Sequence, residues 1–179
     1  NDPGTVPSRS VPNANESGFQ RETTRKSSAR LTANTSQRPT SEGLRELGYD
    51  VEVQGSVLRL RVPSDQLFQP SSAQLSPGAS GILDRIAEVV RAEYPQQRIA
   101  IEGHSDNAPL YGGSYTTPHQ LTSAQTSTIL EYLTRRNELP GAQWFTLAHG
   151  SNYPNQDNQN PVGRAANRRI EFVVYSETF

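Results

Sequence analysis

Arg98-Ile-Ala-Ile-Glu-Gly-His-Ser-Asp106 is the stretch whose reading decides the fold. Ile99 and Ile101 alternate with polar or small neighbours, the period of a strand with one buried face. Gly103 marks a place where a neighbouring backbone or side chain comes too close for a Cβ, or where the strand bends. The strand delivers Asp106 to its C-terminal end, at the mouth of a loop rich in Gly, Pro and Tyr. Downstream, Gly163-Arg-Ala-Ala-Asn167-Arg168-Arg169 leads into a last strand, Arg169 to Tyr175, with Ile170, Phe172 and Val174 on one face. A carboxylate at one strand end and arginines across from it make a site for a zwitterionic ligand.

Around this stretch the elements alternate. Tyr49, Val51 and Val53 interleave with Asp50, Glu52 and Gln54; Gly55-Ser56 reads as a two-residue turn, and Leu58, Leu60 and Val62 interleave with Arg59 and Arg61. With that turn Glu52 faces Arg59 and Asp50 faces Arg61, while Val53 meets Leu58 and Val51 meets Leu60, so both faces of the hairpin agree. Ser41 to Leu47 reads as a short helix closed by Gly48. A helix is expected around Pro77 to Tyr94, with Ile82, Leu83, Ile86, Val89 and Val90 as its apolar stripe. A second is expected from Thr122 to Arg136, with Ala124, Thr128, Ile129, Tyr132 and Leu133 inward. Trp144 to His149 reads as a strand and Asn152 to Asn160 as a solvated loop. The sum is an α/β (α+β) domain: a mixed sheet with helices packed on one face.

Residues 1 to 40 hold only Val6, Val11, Phe19 and Leu31 as large apolar side chains. Such a segment buries too little surface to offset its ordering entropy, so 1–40 reads as a disordered linker and 41–179 as the folded domain. The net charge of -1 gives no electrostatic case for nucleic acid. With no cysteine, disulfides and thiolate metal sites are excluded. No apolar run reaches the length of a membrane span. The absence of methionine implies that the native start lies upstream or has been removed, and a signal peptide, lipid anchor or transmembrane helix could have been lost with it.

Leu67-Phe68, Ser72-Ala-Gln-Leu-Ser76, Gly103-His-Ser-Asp106, Leu121-Thr122 and Asn160-Pro-Val-Gly-Arg-Ala-Ala-Asn-Arg-Arg169, in this order and spacing, resemble the OmpA-like domain. Asp106-Asn-Ala-Pro109 and Gly112-Gly-Ser-Tyr115 are more similar to the MotB branch, the flagellar stator subunit. The resemblance implies an OmpA-like βαβαβ sandwich that binds peptidoglycan non-covalently through the diaminopimelate of its stem peptide. It implies a place in the bacterial envelope, on the periplasmic side of the inner or outer membrane, and a role tethering an envelope component to the wall. A protein partner in the envelope and a homodimer are left open, and membrane contact is expected only through an upstream anchor. The family's pattern gives the ligand ammonium to Asp106 and its carboxylate to three groups: the helix N-terminus at Thr122, an arginine one turn on, and Arg168. That helix arginine is here Gln125, and the family's Asn before the helix is here Pro118, or Thr117 with one insertion.

Each candidate also has a structural reading. Thr122-x-x-Gln125 fits a capping box as well as a ligand contact. Asp106 could hold its own loop through following N–H groups. Arg164, Arg168 and Arg169 together fit a carboxylate clamp, which makes Arg164 a ligand candidate, but Arg164 also fits an internal pair, Arg169 a surface pair, and His104, on the face of Glu102, a structural histidine. The competing functional classes are an interaction domain of the same fold without the ligand, and a stator-type subunit with an acidic transmembrane helix upstream. No enzyme is expected: His104, Ser105 and Asp106 are sequence neighbours pointing to alternate faces, and there is no Gly-x-Ser-x-Gly elbow or phosphate loop. No cofactor or metal is expected, since His104, His119 and His149 show no ligand spacing and 155–160 lacks the calcium-loop register.

Overall fold

The computed structural model describes residues 41–179 apart from 112 and 137; the linker expected over 1–40 lies outside the described residues. Ten labelled elements follow one another: α1 (Glu42–Glu46), β1 (Asp50–Gln54), β2 (Val57–Pro63), α2 (Ser64–Leu67), α3 (Ala79–Glu93), β3 (Gln97–His104), α4 (Pro118–Glu131), β4 (Trp144–Gly150), α5 (Pro161–Asn167) and β5 (Arg169–Thr178). The five strands form one mixed sheet in the order β1-β2-β5-β3-β4. β3 and β4 run parallel, as a strand–helix–strand unit crossing through α4 must; the other pairs are antiparallel.

The hairpin register is the one its side chains call for: Val51 opposite Leu60, Glu52 opposite Arg59, with Gly55 at φ 63° in the turn. Leu58, Leu60 and Val62 of β2, Ile170, Phe172 and Val174 of β5, and Ile99 and Ile101 of β3 are buried on the helix side. Each such side chain contributes about 1.5–3 kcal/mol by leaving water. From α3 they meet Leu83, Ile86 and Val90; Ile82 and Val89 stand half-buried at the edge of that stripe. Gly103 faces α4, where a Cβ would sit 2.9 Å from Thr122 Cβ and Thr126 Cγ2.

Three expectations are corrected. The second helix begins at Pro118, capped by Thr117, whose Oγ1 accepts the Gln120 N–H at 3.2 Å. Thr-Pro supplies an N-cap followed by a preset φ at the first helical position, and this outcompetes the later Thr122 signal. The buried face of α4 is therefore Leu121, Thr122, Gln125, Thr126 and Ile129, with Leu133 beyond, rather than the face through Ala124 and Thr128. Last, Asn160-Pro161 starts the unforeseen helix α5, with Asn160 Oδ1 accepting the Gly163 N–H at 2.7 Å.

The opposite face of the sheet is charged. Arg59 and Arg61 (β2), Arg169 and Glu171 (β5), Glu102 and His104 (β3) and His149 (β4) stand side by side across it. Glu171, 1% exposed, takes Arg59, Arg61 and Arg169 together. Arg59 also reaches Glu102 at 3.0 Å, and Arg61 holds Asp50 and Glu52. Glu52 thus pairs diagonally with Arg61, not with Arg59 directly opposite, because the two buried glutamates of the inner strands draw Arg59 inward. Desolvation opposes charge on Glu171, but the guanidinium bonds outweigh it and hold the carboxyl at about 2. Burial pushes the pKa of His104 down.

Candidate functional site

The candidate site is a cleft of about 450 Å³ at the C-terminal end of β3, where Asp65, Phe68, Asp106, Leu121, Gln125 and Arg168 meet. Four separate pieces of backbone bring them there: α2 and its end, the end of β3, α4, and the end of α5. β3 ends at His104, and the Ser105 N–H bonds the Gly150 carbonyl at 2.8 Å, which fixes Asp106 beside the end of β4. Arg168 caps the C-terminus of α5, and its carbonyl accepts the Ser64 N–H at 2.9 Å. That bond sets the first turn of α2, and so Asp65, alongside the arginine.

The charge arrangement follows. Arg168 grips Asp65 through Nε and Nη2 at 3.0 and 2.8 Å, and reaches Asp106 Oδ2 through Nη1 at 2.6 Å. Those bonds, Asp65 first, raise the arginine's pKa. Asp106 is buried, and its other oxygen accepts the Ala108 N–H at 3.0 Å, so it holds its loop and faces the cleft at once. One cation between two carboxylates leaves the ligand-free cleft with a net negative charge.

Of the five residues expected to meet a ligand, Asp106, Gln125 and Arg168 line one cleft. Thr122 is fully buried behind it: its hydroxyl donates to the His119 carbonyl and accepts the Gly150 N–H, both at 3.3 Å, tying α4 to β4. It caps nothing, so the Thr122–Gln125 capping box is not formed. Gln125 instead donates its amide to the Ser72 carbonyl at 2.9 Å and staples the 69–75 loop against α4. Arg164 stays outside the cleft, donating to the Asn158 carbonyl at 2.9 Å, the internal pairing open to it from sequence. The neighbouring Asn167, fully buried, accepts the Asn155 and Gln156 N–H groups and donates back to the Gln156 carbonyl, shaping the 152–160 loop. Asp65 was missed. Its signal is an acidic residue two positions after the end of β2, a strand that pairs with β5, and only strand order reveals that proximity.

Comparison with known proteins decides the family, since the OmpA family model matches residues 67–168, more than half of the chain and all of this cleft's charged residues but Asp65. The chain belongs to the OmpA family. Peptidoglycan-binding protein ArfA of Mycobacterium tuberculosis is 35% identical over 107 residues, covering 60% of this chain and 31% of ArfA. The chain spans less than half the length of the first curated relatives it matches. Among solved structures, the cell wall anchor of the T6SS from Pseudomonas aeruginosa superposes with a TM-score of 0.71 at 25% identity, covering 79% of this chain and 100% of that one. A MotB-like protein from Desulfovibrio vulgaris gives 0.70 at 25% identity, covering 77% and 87%. The mixed five-stranded sheet with its helices is thus the OmpA-like fold, and the kinship includes MotB-like domains as the loop motifs imply.

Proposed function

We propose that this OmpA-family domain binds the diaminopimelate residue of peptidoglycan stem peptides, and so tethers an envelope component to the cell wall from the periplasmic side. The observation that supports this best is the meeting of Asp106 and Arg168 at one cleft. A diamino acid presents an ammonium beside a carboxylate, matching a buried carboxylate and an arginine fork. The incoming zwitterion exchanges the internal Arg168–Asp106 bond for two new ones. Asp65, bidentate on Arg168, keeps the guanidinium aimed meanwhile. ArfA and the T6SS anchor, by what their names say, do comparable work. The chemistry is recognition: His104, which lines the cleft, makes no hydrogen bond to a hydroxyl among the described residues, so it assembles no nucleophile–base pair there.

A second reading, an interaction domain without the wall ligand, has its own support. Gln125 replaces the helix arginine of the family and is spent on Ser72. A charge-assisted hydrogen bond contributes about 1.5–3 kcal/mol, so its loss weakens muropeptide binding by roughly tenfold. Calorimetric titration with diaminopimelate-containing muropeptides, beside sacculus pull-down, separates the readings. Wild type binds, Asp106→Ala abolishes binding while the domain stays folded, and Gln125→Arg tightens it at a loss of about 1 kcal/mol of stability from the Ser72 bond. If neither wild type nor Gln125→Arg binds, the wall-binding reading fails and the interaction domain takes its place.

A further inference from the structure

The charged face of the sheet holds a second cluster that the cleft chemistry does not use. Glu102 and His104 alternate on β3 and so share that face. The register shift after Gly103 sets His104 against Gly150 and leaves His149 of β4 beside it. His149 Nε2 lies 3.4 Å from Glu102 Oε2, and His104 Nε2 lies 3.8 Å from the same oxygen. Ligand atoms of all three fall within 4.8 Å of one another. The two imidazoles stack at 4.7 Å between centroids, and Tyr153 packs edge-on against His149 at 5.0 Å. His104 is only 4% exposed, yet neither of its ring nitrogens has a hydrogen-bond partner among the described residues. Folded proteins seldom leave a buried polar group in that condition unless something else occupies it.

We propose that Glu102, His104 and His149 bind a divalent transition-metal ion, zinc above all, with a fourth coordination position open to solvent. Two imidazoles and a carboxylate form a borderline donor set suited to zinc; calcium and magnesium prefer oxygen alone. Tetrahedral zinc, with bonds of about 2.0–2.2 Å, holds its ligand atoms roughly 3.3 Å apart. The Glu102–His149 pair already stands at that spacing; His104 has about 0.5 Å to close on Glu102, and the stacked rings swing apart so that both nitrogens aim at one ion. The His149 side chain, 24% exposed, gives the ion its way in. Arg59, bonded to Glu102 Oε2 at 3.0 Å and to Glu171, is the outer partner that orients the carboxylate. His119 stays outside, its Nε2 3.2 Å from Asn152 Nδ2.

The test uses the untagged chain, stripped with EDTA and dialysed. Titration with zinc chloride in a calorimeter gives one ion per chain, and cobalt(II) gives the visible absorption bands of a tetrahedral site; magnesium gives neither. His149→Ala and Glu102→Gln each weaken zinc binding at least tenfold, with folding verified by circular dichroism. His119→Ala and Asp106→Ala leave zinc binding unchanged, so this result and the muropeptide result are read separately. Should His149→Ala not fold, imidazole NMR shifts on zinc addition to wild type decide, and must move at His104 and His149. Absent zinc binding, binding undiminished in both cluster variants, or shifts at His119 alone overturns the proposal.

Discussion

Replacing Glu171 by Gln removes the carboxylate on which three arginines of the charged face converge. Glu171 lies between Arg59, Arg61 and Arg169 and is almost wholly buried. Its carboxyl falls from an ordinary 4.5 to about 2, against the direction of burial and through the bonds from Arg59 and Arg169. At 1.36 kcal/mol per unit, that drop corresponds to about 3 kcal/mol of native-state stabilisation at neutral pH. Removing one partner of a buried ion pair has a similar effect, about 3–5 kcal/mol, because the guanidinium groups left behind lose their counter-charge. The sign follows from the depressed value: this stability is complete above pH 4.5 and is lost as pH falls from there through about 2. Glu102, also held low by its neighbours, adds to the loss in acid. The assay is urea denaturation of wild type and Glu171→Gln in EDTA-containing buffer at pH 7, 4.5, 3.5 and 2.5. The variant is expected to be about 3 kcal/mol less stable at pH 7, and the difference to shrink steadily below pH 4.5. An equal acid dependence in the two proteins, or a difference at pH 7 below about 1 kcal/mol, would refute the reasoning.

Two further outcomes bear on the frame of the site. Gly103→Ala places a Cβ 2.9 Å from Thr122 Cβ and 3.0 Å from the Thr122 carbonyl, so thermal denaturation is expected to show a loss of about 1–3 kcal/mol; an unchanged midpoint would mean α4 is not seated on β3 as described. A double-mutant cycle across the hairpin is expected to give about 0.5 kcal/mol of coupling between Glu52 and Arg61 and none between Glu52 and Arg59, despite the latter pair's direct register. The reverse result would show that Arg59 is not drawn inward.

Local pattern determined a good deal of this protein by itself. The alternation around Gly55-Ser56, the 99–101 strand and the 170–174 strand each declare which face is buried, because side-chain direction along a strand is fixed by the backbone. The glycine at 103 announced a close approach, and Asp106 and Arg168, named from motif chemistry, do line one cleft. Helix boundaries were harder to read. Thr117-Pro118 and Thr122-x-x-Gln125 are both start signals; the preset φ of Pro118 favours the first, and packing against β3 and β4, which buries Thr122, reinforces it. The partners of the charged residues depend on strand order. That β5 lies between β2 and β3 is a property of the whole sheet, and it is what delivers Asp65 to Arg168, Arg59 to Glu171, and the end of α5 to the cleft. His104 and His149, 45 residues apart, become neighbours only because α4 carries the chain across to a parallel strand. Sequence spacing encodes contacts within an element; which elements adjoin is set by the joint burial of all their apolar faces, and that sum exists only in the folded molecule.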